Sequence, residues 1–230
     1  RRWFSLFLSF ALLLPLFSLT SADAYEDFTL DAKAGLLIEA DTGEILYEKN
    51  AHQENFPASL TKVMVALLVF EAIDEGKIAL TDSVTATESA FEGLSSDGST
   101  ANIVPGETMT VEQLLNCMLI VSANETCNIL GEYISGSVEA FVARMNDRAT
   151  ELGCEHTHFA NATGLHNSQH YTTAWDLYLI TREAMKHDKF MEICNSKSYT
   201  VPATNMTEKP RELHSTNFLI SNWRARGYVY

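Results

Sequence analysis

Ser59 and Lys62, in the stretch PASLTKVM, stand three residues apart at the head of a long apolar run. On a helix, positions i and i+3 share a face, so the lysine amine can reach the serine hydroxyl. A cation is disfavoured at a helix N-terminus, where unpaired backbone N–H groups point outward, and burial disfavours it further. Both effects lower the lysine pKa. A neutral amine beside a hydroxyl is a general base that turns an alcohol into a nucleophile. The placement is poor for stability and suits acyl transfer. Taken alone, the pair also suits a plain N-cap serine with a lysine running out to solvent.

A second group supports the chemical reading. Ser122, Ala123 and Asn124 follow the apolar stretch Leu114 to Val121 and precede another helical pattern. A junction between helices can aim side chains into a cleft. Ser122 could relay a proton to a leaving amine, and Asn124 could hold a substrate amide or the lysine. Both are also ordinary residues at a helix boundary. His156 with His158, and His166 with His170, have metal-like spacings. No His-Glu-x-x-His occurs and the region reads as loop, so no metal is assigned.

These side chains need a scaffold. Apolar runs at 35–40 and 45–47 flank Asp41-Thr42-Gly43, which predicts a hairpin. Leu60, Val63, Met64, Leu67, Leu68 and Ala72 recur at helical spacing and predict a helix over 59–75, with Gly76 as its stop. Val63 to Phe70 is apolar on every side, which predicts burial in the core. That helix is too short to cross a bilayer. Residues 81–106 are polar and irregular. Thr110 and Gln113 form a capping-box pattern opening a helix through Met118. Further helices are predicted at 124–133 and 138–152. A loop follows at 159–171, then a helix capped by Thr172 or Thr173 and running to about His187. Residues 197–203 alternate as a strand, and the end "WRARGYVY", with Trp223, reads as another. There is no internal repeat and no long linker. The pattern predicts one α/β unit with both ends of the chain in one sheet.

The chain has 230 residues, 46% hydrophobic and 20% charged, enough for one domain with its own core. Its formal charge of -14 excludes nucleic acid or an acidic membrane surface as the main partner. Residues 1–24 read as a secretory signal: Arg1 and Arg2, an apolar centre from Trp3 to Leu19, then Ala22-Asp23-Ala24. Ser5, Ser9, Pro15 and Ser18 interrupt the apolar centre and argue against an uncleaved anchor. Removing this segment takes away two arginines and one aspartate, so the exported chain stays acidic. Cys117, Cys127, Cys154 and Cys194 permit three pairings; a Cys154–Cys194 bond is one expectation, and Cys117 reads as a small buried hydrophobe. The sequence starts at Arg1 and stops at Tyr230 inside an apolar-aromatic stretch, so it is expected to lack C-terminal structure.

Together, Ser59-x-x-Lys62 and Ser122-Ala123-Asn124 resemble the motifs of the penicillin-binding and serine β-lactamase superfamily. The stretches "AGLLIEADTGEILYEKNAHQENFPASLTKVM", "VPGETMTVEQLLNCMLIVSANETCNILGEYISGS" and "FANATGLHNSQHYTTAWDL" resemble the low-molecular-weight D-alanyl-D-alanine carboxypeptidases, over nearly all of residues 30 to 220. The resemblance implies a DD-peptidase-like α/β fold. In it, an antiparallel sheet is flanked by helices, with a helical subregion. Residues 25–230 would form the catalytic domain, incomplete in its final strands. It also implies that Ser59 attacks a stem peptide ending in D-Ala-D-Ala, that Lys62 takes its proton, that Ser122 protonates the leaving D-alanine and that Asn124 positions substrate. β-Lactams would acylate the same serine, no cofactor or metal would be needed, and the work would be done outside the cytoplasmic membrane. A C-terminal segment could attach the protein to that membrane. His166, Thr172, Thr173 and Asp176 would scaffold the cleft wall and a helix cap. The family's third motif, Lys-Thr-Gly or Lys-Ser-Gly on a sheet strand, does not occur after Ser59, so residues 25–230 alone are expected to be poorly active. A β-lactamase would need a carboxylate in the loop after the second motif, and His158 to Tyr171 contains none. A non-catalytic wall-binding module using the same cleft is the other alternative.

Overall fold

The computed structural model describes residues 30–217 and residue 220. The chain divides into two compact units, 1–32 and 33–230; the description below concerns the second. The signal segment and the strand expected around Trp223 lie outside the described residues.

The predicted hairpin forms. Strands β1 (Gly35–Ile38) and β2 (Ile45–Lys49) pair antiparallel, Gly35 opposite Lys49 and Leu37 opposite Tyr47, with an irregularity between Leu37 and Ile38. The turn closes where Gly43, at φ 74°, donates its N–H to Glu39 O at 2.9 Å.

Helix α1 (Lys62–Asp74) follows a four-residue 3-10 turn, Ala58–Thr61. The sequence pattern places the helix start at 59. The difference arises because Ala58 takes a left-handed φ of 47° and Leu60 N–H bonds Pro57 O at 3.1 Å, so the first turn is wound tighter. From Met64 to Phe70 every residue is buried, which is why the stretch shows no polar face. Gly76, at φ 68°, ends it.

Around α1 lie α2 (Val111–Val121), α3 (Glu125–Ser135), α4 (Val138–Glu151) and α5 (Ala174–Ala184). Thr110 and Gln113 form the complete capping box at the start of α2, while Ser137 and Thr173 cap α4 and α5. Helix α3 packs on α4 so closely that a Cβ on Gly131 would stand 2.7 Å from the Phe141 ring. Four elements escaped the sequence reading: the paired strands β3 (Ser83–Thr85) and β4 (Thr108–Thr110), helix α6 (Asp188–Cys194), and β6 (Arg211–His214), which pairs with β5 (Ser198–Val201).

One expectation lies partly outside the described residues and one is corrected. The chain end around Trp223, assigned to the shared sheet, is not among the described residues. Among those residues the strands form three separate two-stranded sheets, with β1–β2 and β5–β6 apart. The reason is the anchorage of β6: Arg211 bonds both carboxylate oxygens of the buried Glu107, just before β4, and Leu213 enters the core beside α2. The hairpin β1–β2 instead packs on α5. The Cys154–Cys194 bond is not formed; all four cysteines are free thiols. Cys154 Sγ contacts Asp176 O at 3.7 Å, Cys194 closes α6 further along, and Cys117 is fully buried as expected. No helix among the described residues is long and apolar enough to cross a membrane.

Candidate active site

The approach to Ser59 is pinned from both sides. Asn55 exchanges two backbone hydrogen bonds with Thr172, at 2.8 and 3.0 Å, which lays the strand before Pro57 against the loop 159–172. Within that loop Asn161 Oδ1 accepts from the N–H groups of Thr163 and Gly164 at 3.2 and 2.8 Å, and Asn161 Nδ2 donates to Leu165 O at 2.9 Å. The resulting turn brings Gly164, at φ +85°, hard against the backbone of Ala58. A Cβ on residue 164 would stand 1.9 Å from Ala58 O. Ala58 itself has φ 47° and Ser122 has φ 61°, so two of the non-glycine residues in the left-handed region sit at this site.

Lys62 is 3% exposed. Its Nζ donates to Asn124 Oδ1 at 2.8 Å, to Thr163 O at 2.9 Å and to Ser59 Oγ at 3.3 Å. Among the described residues no carboxylate touches it. Burial pushes the lysine pKa down, while the charges of Cys127 and Glu125 act in the opposite direction. A neutral amine has two N–H donors and one lone pair. Asn124 and Thr163 occupy the two donors, and the longest contact, to Ser59, is the one left for the lone pair. Ser122 Oγ donates to Ser59 Oγ at 3.0 Å. Ser122, Ser59 and Lys62 thus form one hydrogen-bonded run, with the exposed hydroxyl of Ser59 at its centre.

Ser122 and Asn124 owe their positions to the three-residue joint between α2 and α3. The left-handed Ser122 ends α2 with its N–H on Cys117 O, and Asn124 begins α3, 7% exposed. A cleft of about 370 Å³ opens at Ser59, lined by Asn124, by Asp97 to Ser99, and by the Phe56–His166 pair, whose rings meet edge to face at 4.6 Å.

All four residues expected from the sequence to do chemistry come together. The four expected to scaffold the wall do so as well. His166 lines the cleft, Thr173 caps α5, Thr172 bonds Thr157 at 2.7 Å, and the buried Asp176 accepts from His156 N–H at 2.9 Å and from Thr157 Oγ1 at 2.7 Å. Sequence reasoning missed Thr163, whose contribution is a backbone carbonyl. It missed Gly164 too, though a glycine inside "NATGL" was a signal for close backbone approach. It also missed His170, which is buried and bonds Thr61 Oγ1 at 2.7 Å, one residue before Lys62. The other histidines serve as surface and loop contacts: His156 Nδ1 lies 3.3 Å from Glu54, and His158 Nδ1 bonds Gln169 O. Among the described residues no three His, Cys, Asp or Glu side chains converge as metal ligands.

The architecture is that of the DD-peptidases. The Streptomyces K15 DD-transpeptidase superposes with a TM-score of 0.78 at 28% identity, covering 86% of this chain and 79% of that one. Penicillin-binding protein 5 of Haemophilus influenzae superposes with a TM-score of 0.74 at 30% identity, covering 81% and 53%. The family model for D-alanyl-D-alanine carboxypeptidase matches residues 20–225, and the chain belongs to that family. Among curated relatives, the D-alanyl-D-alanine carboxypeptidase DacF of Bacillus subtilis is 40% identical over 190 residues, 83% of this chain and 48% of that protein. DacC of Escherichia coli is 32% identical over 202 residues, 86% and 50%. The chain therefore spans about half the length of these curated relatives.

Proposed function

We propose that this protein is a serine D-Ala-D-Ala carboxypeptidase working through an ester on Ser59. The observation that carries the reading is the run Ser122–Ser59–Lys62, with the remaining donors of a neutral Lys62 occupied by Asn124 and Thr163. Ser59 Oγ attacks the carbonyl carbon of the penultimate D-alanine while Lys62 Nζ takes the hydroxyl proton. The tetrahedral intermediate expels the terminal D-alanine, whose nitrogen receives a proton through Ser122. Water then replaces the departed amine, Lys62 takes its proton, and the ester on Ser59 is hydrolysed. Asn124 holds Lys62 and offers its amide to the substrate backbone. A β-lactam presents a strained amide to the same serine and stops at the ester.

The names of the family and of the curated relatives support the substrate class. The absence of any carboxylate from His158 to Tyr171 disfavours a β-lactamase, which needs a base for rapid deacylation. Residues 1–24 support export and work on the outer face of the membrane; residues 25–230 would carry the acyl-transfer chemistry, and a segment beyond them could supply the membrane attachment. The test is intact-mass analysis of the full-length protein after exposure to benzylpenicillin. An adduct mapping to Ser59, abolished by Ser59→Ala, is expected. No adduct, or an adduct on another residue, overturns the reading.

A further inference from the structure

Glu125 has no part in the reaction as written above, yet it is a carboxylate 2% exposed, directly after Asn124. Among the described residues no lysine, arginine or histidine pairs with it. A buried charge without an ion partner is costly unless hydrogen bonds satisfy it. Here one oxygen, Oε1, collects three donors from a single loop: Thr100 Oγ1 at 2.7 Å, Ala101 N–H at 2.8 Å and Ile103 N–H at 3.4 Å.

The same loop returns to the site. Ser99 O accepts the N–H of Asn124 at 2.9 Å. Gly98 lies so close to the Asn124 amide that a Cβ there would stand 2.6 Å from Nδ2. Residues 97–99 line the cleft. Asn124 in turn is the acceptor that orients Lys62. A chain of contacts therefore runs from Glu125 through Thr100–Ile103 to Ser99 and Gly98, on to Asn124, and ends at the amine.

We propose that Glu125 is a positioning residue of the acyl-transfer site: by clamping residues 100–103 it holds the Gly98–Ser99 backbone against Asn124 and so fixes both the lysine's acceptor and one stretch of the cleft. This rests on the acyl-transfer reading given above. A carboxylate is suited to the task because its oxygen accepts several N–H and O–H donors at once and charge strengthens each bond. The loop lacks regular secondary structure, and Glu125 supplies three of its hydrogen bonds, beside the burial of Ala101 and Ile103 and the Arg211 bond to Asn102 O. Displacing a substrate-positioning group by a fraction of an ångström to an ångström costs up to about 100-fold in rate.

The experiment compares full-length wild type, Glu125→Gln, Glu125→Ala and Thr100→Val. Three readouts serve: the second-order rate of acylation by benzylpenicillin, kcat and KM on a D-Ala-D-Ala peptide, and thermal unfolding. Glu125→Ala is expected to lower the acylation rate about 10- to 100-fold, with the residual adduct still on Ser59 and kcat falling along with kcat/KM. Glu125→Gln keeps an acceptor oxygen and is expected to remain within about 3-fold of wild type. Thr100→Val removes one donor at an exposed position and is expected to slow acylation several-fold with an unchanged melting temperature, which keeps the test decisive if Glu125→Ala does not fold. Wild-type rates in a folded Glu125→Ala, or in Thr100→Val if Glu125→Ala does not fold, overturn the positioning role and leave the acyl-transfer reading standing. A wild-type protein that forms no Ser59 adduct overturns the acyl-transfer reading itself.

Discussion

Lys62 Nζ and Asn124 Oδ1, 62 residues apart in the chain, lie 2.8 Å apart in a site where no carboxylate among the described residues touches the lysine. The amine is held by neutral acceptors and stripped of water. On the proposed mechanism, that combination would let it exchange a proton with Ser59 instead of remaining locked as an ammonium in an ion pair.

Removing the base should therefore cost more than removing its holder. In the full-length protein, Lys62→Ala is expected to slow acylation by benzylpenicillin by about 10³-fold or more, and Asn124→Ala by about 10²-fold. Stopped-flow acylation rates check both. Equal and small losses would mean that Lys62 is not the proton acceptor.

The pH profile has a sign that follows from burial. Because the folded environment lowers the Lys62 pKa, the neutral, proton-accepting amine becomes populated below the ordinary lysine range. Acylation should rise with pH along the neutral fraction and then level off. Asn124→Asp sets a carboxylate against the ammonium, raises the lysine pKa, and should move the rising limb to higher pH. A limb that stays in place would assign the titration to another group.

His170 should make the fold acid-sensitive. Ala160 N–H donates to its Nδ1 at 3.1 Å, so the ring proton is on Nε2 and is donated to Thr61 Oγ1 at 2.7 Å. Burial, with a smaller contribution from His158, pushes its pKa down from 6.5 to about 4. The unfolded chain takes up the proton first as pH falls. The stability is thus fully present above the ordinary histidine value and is lost between there and about pH 4, by about 3 kcal/mol at most. Urea unfolding at pH 7 and near pH 4.5 should show a steeper loss for wild type than for His170→Gln.

Gly164→Ala should damage site and stability together. The added Cβ would meet Ala58 O at 1.9 Å, and the φ of +85° is itself unfavourable for alanine. A cost of about 1–3 kcal/mol is expected from the backbone conformation alone, with the collision added to it. Ser59 must shift with Ala58, so acylation should fall even in the fraction that stays folded. A variant with normal stability and normal acylation would contradict the close approach.

Arg211→Ala should destabilise the fold far more than it slows the chemistry. The guanidinium bonds both oxygens of Glu107, whose side chain has 0% exposure, and Thr204 Oγ1 adds a bond at 2.6 Å. Leaving that carboxylate buried and unpaired costs about 3–5 kcal/mol. Chemical denaturation checks the loss; because Arg211 also bonds Asn102 O at 3.4 Å, a folded Arg211→Ala should acylate within a few-fold of wild type while Ser59→Ala does not acylate at all.

The sequence alone determined whatever depends on neighbours along the chain. Ser59 and Lys62 could be paired because three residues is most of a helical turn. Thr110 with Gln113 marked the start of one helix and Thr173 that of another, since a capping side chain bonds a backbone N–H only a few residues away. The turn at Gly43 and the stop at Gly76 were legible for the same local reason. The apolar run from Val63 to Phe70 announced a buried helix whatever its surroundings. Even Ser122 and Asn124 stood out, as polar residues at a break between apolar helical patterns.

Tertiary structure decided what is made by segments far apart. Thr163 gives Lys62 a carbonyl from 101 residues away, and a backbone carbonyl carries no residue-type signature. Arg211 reaches Glu107 across 104 residues and so ties β6, which no local pattern announced, to the start of β4. Cys154 and Cys194 counted as a possible pair, but spatial placement left both as thiols. Periodicity and capping report the first few residues around a position, whereas an acceptor, a buried ion pair or a backbone collision exists only once the chain has folded back on itself.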